Sequence, residues 1–451
     1  MKDLRERLAA AGVHTLIAQF TDLLGVAKGK YVPLAHLDAL LTEGAGFSGP
    51  SIAGTGLPRT GPRSEYWARG AASTLTTLPW MPGYARIVCD GFVAGQPFEA
   101  CPRQLLRRQV ARLAEAGWHL RTGIEPEFFL LKRDDQGRWL PADDADRLHK
   151  PSYDLKSLPR QRGFLRELQL ALEACGLDVL QLDHEDAWGQ YEVNFGFDEA
   201  LASADHLMLF KLAAQALAEE RGMVFSMMPK PFANQPGSGM HFHVSLWQGQ
   251  GANARNVFVP HRRDGSVDAE AALSPLGEQF AAGVLAHSAA LTALAAPTVN
   301  SYKRLGVGEC LSGTSWAPAV IAHGRNNRTA LLRSLHGRFE WRLPDASANP
   351  YLVTAGLIAA GLDGIQRGLV LPPASEDDLF TLGLADLRLR GLDLLPLQLD
   401  AALDALAADA VIGSALGELA TEQFIALKRD EHQSHARHVS DWELERYAAA
   451  F

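Results

Sequence analysis

The sequence predicts an α+β protein. Apolar residues make up 47% and charged residues 21% of the chain, the balance of an ordinary globular protein that can bury a large core. Strand-like and helix-like runs are mixed along the chain. Several of the strand-like runs carry polar residues on one face only. At roughly 100–200 residues per domain, the 451 residues correspond to two or three domains.

The elements follow in order. "MKDLRERLAAAG" is charged and helical in pattern, and reads as a short helix rather than a signal peptide. "HTLIAQFTD", "GKYVPL" and "ARIVCDGFV" read as strands. Between them "GFSGPSIAGTGLPRTGPRSEYWARG" is long for a plain connection, which predicts a functional loop or an interface segment. "CPRQLLRRQVARLAEAGW" begins an amphipathic helix with Pro102 in its first turn, and a domain boundary is placed just before it, near residue 100. Further strands are expected at "RTGIEPEFFLLK", "GLDVLQLDHED", "YEVNFGF", "GMHFHVSLW" and "GRFEWRL". Helices are expected near 160–175, 199–221, 268–295, 350–368 and 398–427. A last one starts at Ser440, where "SDWE" reads as a capping box. No internal repeat or low-complexity tract is present.

Composition excludes several classes. A net charge of -9 without a Lys/Arg block argues against nucleic-acid binding. The four cysteines, Cys89, Cys101, Cys175 and Cys310, are scattered without a C-x-x-C, as expected in a reducing cytoplasm. The apolar stretch from Phe280 to Val299 contains His287 and Ser288, and reads as a buried helix rather than a membrane span.

The chemistry gathers on the strands. In "GIEPEFFLL", Glu125 and Glu127 share one face of an otherwise apolar strand. Like charges so placed repel, and unpaired burial is costly. The same oddity recurs: Glu185 and Glu192 beside apolar runs, His241 and His243 on one strand face, and Glu340 with Arg342 on another. Any one of these alone is the pattern of a solvated face, a structural histidine pair or a plain ion pair; four such segments argue against coincidence. Carboxylates with an imidazole form a ligand set for Mg2+ or Mn2+, and two ions would offset the clustered charge. Arginines gather as well: Arg304 beside Lys303, then Arg328, Arg333, Arg338 and Arg342. Arg forks bind carboxylate and phosphate, and metals with several Arg suit phosphoryl transfer. Neither G-x-x-x-x-G-K-[ST] nor G-x-G-x-x-G occurs, so ATP would not bind through a P-loop or a Rossmann turn.

"EPEFF", "GSGMHFHVSL", "NSYKRL", "NNRTALLR" and "FEWRLPDASANPY" occur in that order, and in them the chain resembles the glutamine synthetase family and its γ-glutamyl–amine ligase relatives. The resemblance runs from "FTD" at 20–22 to the C-terminal helices. It implies a small N-terminal β-grasp-like domain over 1–100, and a catalytic domain over 101–451 whose curved antiparallel sheet lines the active site. It implies an ATP-dependent carbon–nitrogen ligase that makes a γ-glutamyl amide through γ-glutamyl phosphate. Carried over, Glu127, Glu185 and Glu192 would hold one divalent ion, and Glu125, His241 and Glu340 another. Phe197, His243 and Ser245 would lie near the nucleotide; Arg304 and Arg342 would clamp glutamate beside Gly237; Arg328, Arg333 and Arg338 would neutralise the moving phosphate. Asp22 matches an aspartate that in the family assists deprotonation of ammonium across a subunit interface, which implies a ring homo-oligomer, a dodecamer of stacked hexamers.

One departure bears on the acceptor. In "RLGVGECLSGTSWAPAVIAHGRNNR", the glutamate that ammonia-using members place before "AP" is Trp316. An indole offers an apolar wall and a cation–π face to an alkylammonium group, so a small alkylamine such as methylamine is the expected acceptor. The pattern resembles that of the type III glutamine synthetase-like branch, which includes γ-glutamylmethylamide synthetases. Two alternatives stand beside it: glutamine synthetase proper, with Glu309 of the same loop as base, and a non-catalytic sensor of glutamate or nucleotide. Trp316 also has a plain reading as a core or interface aromatic. "ASEDDLFTLG" has Phe380 and no tyrosine, which argues against control by adenylylation there.

Overall fold

The structure, a computed structural model, describes residues 2–306 and 316–451. After helix α1 (Lys2–Ala10) come β1 (Thr15–Thr21), β2 (Ala27–Pro33), α2 (Leu37–Thr42), β3 (Ala45–Ser48), β4 (Glu65–Gly70), β5 (Thr76–Thr77), β6 (Tyr84–Val93) and β7 (Gln96–Pro97). They form one sheet in the order β2-β1-β6-β4-β3, with β5 and β7 pairing β6. β1 and β6 are parallel; their other neighbours are antiparallel. The Gly/Pro-rich stretch expected to be a single loop is thus partly corrected. Its two ends are β3 and β4, paired antiparallel, because "AGFS" and "EYWARG" place Phe47 and Tyr66 against Phe20 in the core.

Helix α3 (Pro102–Glu115) begins at Pro102 as expected and buries Leu105, Leu106 and Leu113. The chain then builds a larger mixed layer: β8 (His119–Arg133), β9 (Trp139–Pro141), α4 (Arg162–Ala174), β10 (Val179–His184), β11 (Gln190–Phe195), β12 (Asp198–Glu199), α5 (Ala200–Glu219), β13 (Val224–Ser226), β14 (Met240–Gln248) and β15 (Arg255–Asn256). Helices α6 (Pro275–Ala286) and α7 (Ser288–Ala295), strands β16 (His323–Arg325), β17 (Leu332–Leu335) and β18 (Arg338–Trp341), and α8 (Pro350–Gln366) follow. The second sheet runs β10-β11-β8-β14-β18-β17-β16, antiparallel along its length except at the β16–β17 edge. Its inner face, with Ile124, Phe128, Val193, Phe242, Phe339 and Trp341, packs into the core. Its other face carries the polar residues. The strict alternation along each strand is why the sequence pattern shows both at once.

Two helical expectations are corrected. The stretch from Phe280 to Val299 is two buried helices, α6 and α7, broken at His287. The 398–427 segment is three: α10 (Leu399–Ala408), α11 (Ala410–Leu416) and α12 (Glu418–Arg437), after a short α9 (Leu384–Leu389). Asp409 starts α11 by accepting from the Val411 and Ile412 amides, and Gly417, at φ +82°, ends it. The last helix, α13 (Asp441–Tyr447), has the capping box read from Ser440 and Glu443. Helices α6 and α8 touch so closely that a Cβ on Gly283 would lie 2.1 Å from the Ala360 carbonyl oxygen, which only glycine permits. Among the described residues no single helix is long and apolar enough to cross a membrane.

Buried ion pairs tie the layers together. Arg103 of α3 donates to both oxygens of Asp205 at 2.9 and 2.8 Å and to Asp90 of β6 at 2.7 Å. Tyr351 of α8 donates to Asp205 at 2.8 Å. His287, at the helix break, sits between Asp409 at 2.6 Å and Asp363 at 3.0 Å. Burial works against its charge, but the two carboxylates prevail and raise its pKa. A raised folded-state pKa contributes stability that is present below the unfolded value of about 6.5 and is lost as pH rises through the folded value. Replacing His287 by Gln should therefore cost about 1–3 kcal/mol at pH 6. The difference from wild type should shrink at pH 9, as read by denaturant unfolding at the two pH values.

Candidate active site

Register assembles the site. In the β8–β14 ladder Glu125 is opposite His241 and Gly123 opposite His243. In β8–β11 Glu127 is opposite Glu192, which in β10–β11 is opposite Asp183. In β14–β18 His243 is opposite Glu340, and in β17–β18 Arg333 is opposite Glu340. Directly opposed residues lie on the same face, so five ladders bring these side chains to one surface. That surface floors a cavity of about 600 Å³ lined by Glu125, Glu127, Glu185, Glu192, Gly237, His241, His243, Arg304, Trp316, Arg328, Arg333, Arg338, Glu340 and Arg342. Three of the described residues singled out from the sequence stand apart. Phe197 and Ser245 lie outside the cavity on the extension of the same sheet face. Asp22 is buried at the end of β1, its Oδ1 accepting from the Leu24 and Val26 amides at 3.1 and 2.9 Å. Glu309 lies outside the described residues.

The carboxylates fall into two overlapping sets with metal-ligand spacing, Glu127/Glu185/Glu192 and Glu125/Glu192/His241, each within 4.8 Å. The first matches the expected grouping. In the second Glu192 stands where Glu340 was expected. Glu340 is engaged instead by Arg342, by Arg333 at 2.7 Å, and by His241 Nδ1 at 3.5 Å, because a buried carboxylate beside two guanidiniums pairs with them. Neighbours fix each carboxylate. Gln190 Nε2 and the Gly239 amide donate to Glu127 at 2.8 and 2.9 Å, Asn194 to Glu192 at 2.9 Å, and the Asp186 amide to Glu185 at 3.1 Å. A Cβ on Gly239 would lie 2.9 Å from the side-chain ends of Glu127, His241 and Arg304 alike, so any larger residue would displace the groups that form the site.

The electrostatics suit cations. Burial raises Glu127 to about 7, against the pull of Arg304. Burial and then repulsion by neighbouring carboxylates, Glu127 foremost for Glu185 and Glu185 foremost for Glu192, raise both well above the usual carboxylate range. Burial lowers His241 well below the ordinary imidazole value, keeping it a neutral ligand. Asp183 Oδ1 and Asn194 Oδ1 are buried acceptors without a hydrogen-bond donor among the described residues. A set of neutral imidazole and acceptor-only oxygens fits Mg2+ or Mn2+.

Further residues belong to the site although the sequence pattern did not single them out. Asp183, Gln190 and Asn194 lie two residues from Glu185 or Glu192 on the same strand face, a period-2 signal that was available. Trp247 likewise follows Ser245 by two. Its indole donates to Ser245 at 2.9 Å and stacks on Phe197 at 5.8 Å between centroids, with the Arg121 guanidinium 4.4 Å from the Trp247 ring. Tyr153, Ser152 and Asp186 come from irregular segments, where no periodicity marks them.

The catalytic-domain model of glutamine synthetase matches residues 99–447. Glutamate–methylamine ligase of Methyloversatilis universalis is 48% identical to the chain over 97% of each. A glutamine synthetase of Halobacterium salinarum is 37% identical, covering 98% of this chain and 95% of that one. The solved structure of GmaS in complex with ADP matches with a TM-score of 0.88 at 35% identity, over 99% of this chain and 100% of that one. These relatives and the site define an ATP-dependent carbon–nitrogen ligase. The chain belongs to the glutamine synthetase family.

Because Glu192 stands in both carboxylate sets, it is the most informative position to change. Glu192→Gln should raise the melting temperature of chelated protein by relieving repulsion. It should weaken Mn2+ binding by at least about 100-fold, read as loss of the Mn2+-dependent thermal shift.

Proposed function

We propose that the chain joins the γ-carboxylate of glutamate to methylamine or a similarly small alkylamine, using ATP and passing through γ-glutamyl phosphate. The single observation that carries this reading is the 48% identity, over 97% of both chains, to a glutamate–methylamine ligase. Trp316 at the cavity wall agrees with it.

The roles follow from charge and position. When bound, two divalent ions held by Glu127, Glu185, Glu192, Glu125 and His241, with Glu340 beside them, would offset the carboxylates and bring the ATP phosphates close. Trp247, Phe197 and Arg121 offer π faces and a cation at the edge of the site, which suits an adenine ring near Ser245 and His243. His243 bridges Glu125, at 3.0 Å, and Arg338, at 3.2 Å, and so holds the sheet face beneath the phosphates. Arg304 and Arg342 lie deep, where glutamate carboxylates would reach them beside Gly237; a Cβ there would lie 2.4 Å from the Pro229 carbonyl oxygen. The γ-carboxylate oxygen attacks the γ-phosphorus and ADP leaves. Arg328, exposed at the rim, with Arg333 and Arg338, neutralises the transferred phosphoryl group. The amine nitrogen then attacks the acyl carbon, loses a proton, and inorganic phosphate leaves.

The seven strands of the N-terminal sheet, with parallel β1 and β6 at its centre, support a β-grasp-like unit over 1–100 ahead of a catalytic unit over 101–451. Asp22 sits outside its own chain's cavity, which agrees with service to a neighbouring subunit's site and hence with a ring, a dodecamer of stacked hexamers. A cytoplasmic location fits the free thiols of Cys89, Cys101 and Cys175.

The second reading, a glutamate–ammonia ligase, is favoured by the 37% identity to a glutamine synthetase. Incubation with glutamate, ATP, Mg2+ and a panel of amines, with ADP release and product mass followed, separates the two. Methylamine should give γ-glutamylmethylamide at a higher kcat/KM than ammonia gives glutamine. Turnover with ammonia and none with methylamine would overturn the proposal. Trp247→Ala should raise the KM for ATP by about 5- to 100-fold and leave the KM for glutamate nearly unchanged. A matching rise for glutamate would place the adenine elsewhere.

A further inference from the structure

Trp316 lines the cavity where its indole meets the β10–β11 turn. Its backbone is at φ +53°, a conformation an aromatic residue rarely holds without support. Three contacts supply that support. The indole Nε1 donates to Asp186 Oδ2 at 2.5 Å. The Trp316 carbonyl accepts from Arg342 Nη2 at 3.1 Å. The ring meets Phe380 edge-on at 6.3 Å between centroids. Asp186 in turn is one residue after Glu185 and gives that carboxylate its backbone amide at 3.1 Å. Both side chains line the cavity that holds the carboxylates and Arg328.

We propose that Asp186 is a positioning residue for the acceptor amine: by accepting the indole N–H it pins Trp316 as the apolar wall of the acceptor subsite, so that the site favours an amine carrying a methyl group over ammonia. The inference rests on the amine-ligase reading above and deepens it, because it assigns the discrimination to one hydrogen bond. Without that bond the ring has room to turn, since it is 42% exposed and meets Phe380 edge-on. A pinned wall contacts a methyl group at a fixed distance, and a free one does not. One methyl group in an apolar pocket changes selectivity by about 10- to 200-fold. Asp186 also explains a coupling that the metal ligands alone do not require: the same residue fixes Glu185 through its amide and Trp316 through its carboxylate, so the acceptor wall and the carboxylate set are built from one corner.

The test compares kcat/KM for methylamine and for ammonia, with glutamate, ATP and Mg2+ saturating, in the full-length enzyme. Asp186→Ala should lower the methylamine-to-ammonia ratio by at least about tenfold and leave the KM values for ATP and glutamate within about twofold, the change lying in the amine KM. Asp186→Asn keeps an acceptor oxygen for the indole and should stay within about threefold of wild type. Trp316→Phe, which keeps an aromatic ring but loses the donor, should fall as far as Asp186→Ala. The double variant should fall no further than either single one. An unchanged ratio in Asp186→Ala, Asp186→Asn falling as far as Asp186→Ala, or additive losses in the double variant would overturn the inference. If Asp186→Ala does not fold, the ratios of Trp316→Phe and Asp186→Asn decide: a fall in the first with the second held supports the inference, and any other pattern overturns it. Failure of the wild-type enzyme to use methylamine at all would instead strike the amine-ligase reading itself.

Discussion

Repulsion among carboxylates on one sheet face is the constraint from which the rest of this structure follows. Glu125, Glu127 and Glu192 come from the neighbouring strands β8 and β11, and Glu185 from the turn after β10, in a site where burial already disfavours charge. A fold would discard such a cluster unless something positive regularly occupied it. The protein supplies part of that positive charge itself. Burial disfavours charge on Glu340, yet Arg342 foremost, with Arg333, outweighs it and lowers its pKa, while burial prevails at Glu127 and raises it. The site is therefore divided: one carboxylate serves as an anchor for arginines, and the others are left for cations.

That division explains the arrangement of the arginines. Arg342 touches Glu340, and it also holds the Trp316 carbonyl, so the residue proposed to meet the donor glutamate is tied to the residue proposed to meet the amine. Arg304 donates to the Leu343 and Arg342 carbonyls and is packed against the Gly237–Gly239 turn. Donor and acceptor sides thus share a rigid backbone, which is what a two-step transfer needs, since the acyl phosphate must meet the amine before water does.

Much of the site was legible in the sequence because it lies on strands. Glu125 with Glu127, His241 with His243, and Glu340 with Arg342 each keep the two-residue period among apolar neighbours, and pleating turns that spacing into a shared face. The family resemblance then supplied the roles that spacing cannot give. What the sequence withheld is tertiary. Whether Glu192 or Glu340 completes the second carboxylate set depends on where two arginines reach, and the Trp316–Asp186 bond joins residues 130 positions apart. Helix ends were missed where a single side chain decides them. His287 stands at the break between α6 and α7 and Asp409 caps α11, and the two pair across 122 positions, a contact no periodicity announces.

The central claim is that these carboxylates are a two-ion site. Anomalous diffraction at the manganese edge, from crystals grown with Mn2+ and a non-hydrolysable ATP analogue, tests it most directly. The predicted result is two peaks per chain, one among Glu127, Glu185 and Glu192 and one beside Glu125 and His241. A single peak elsewhere, or none between those side chains, would contradict it.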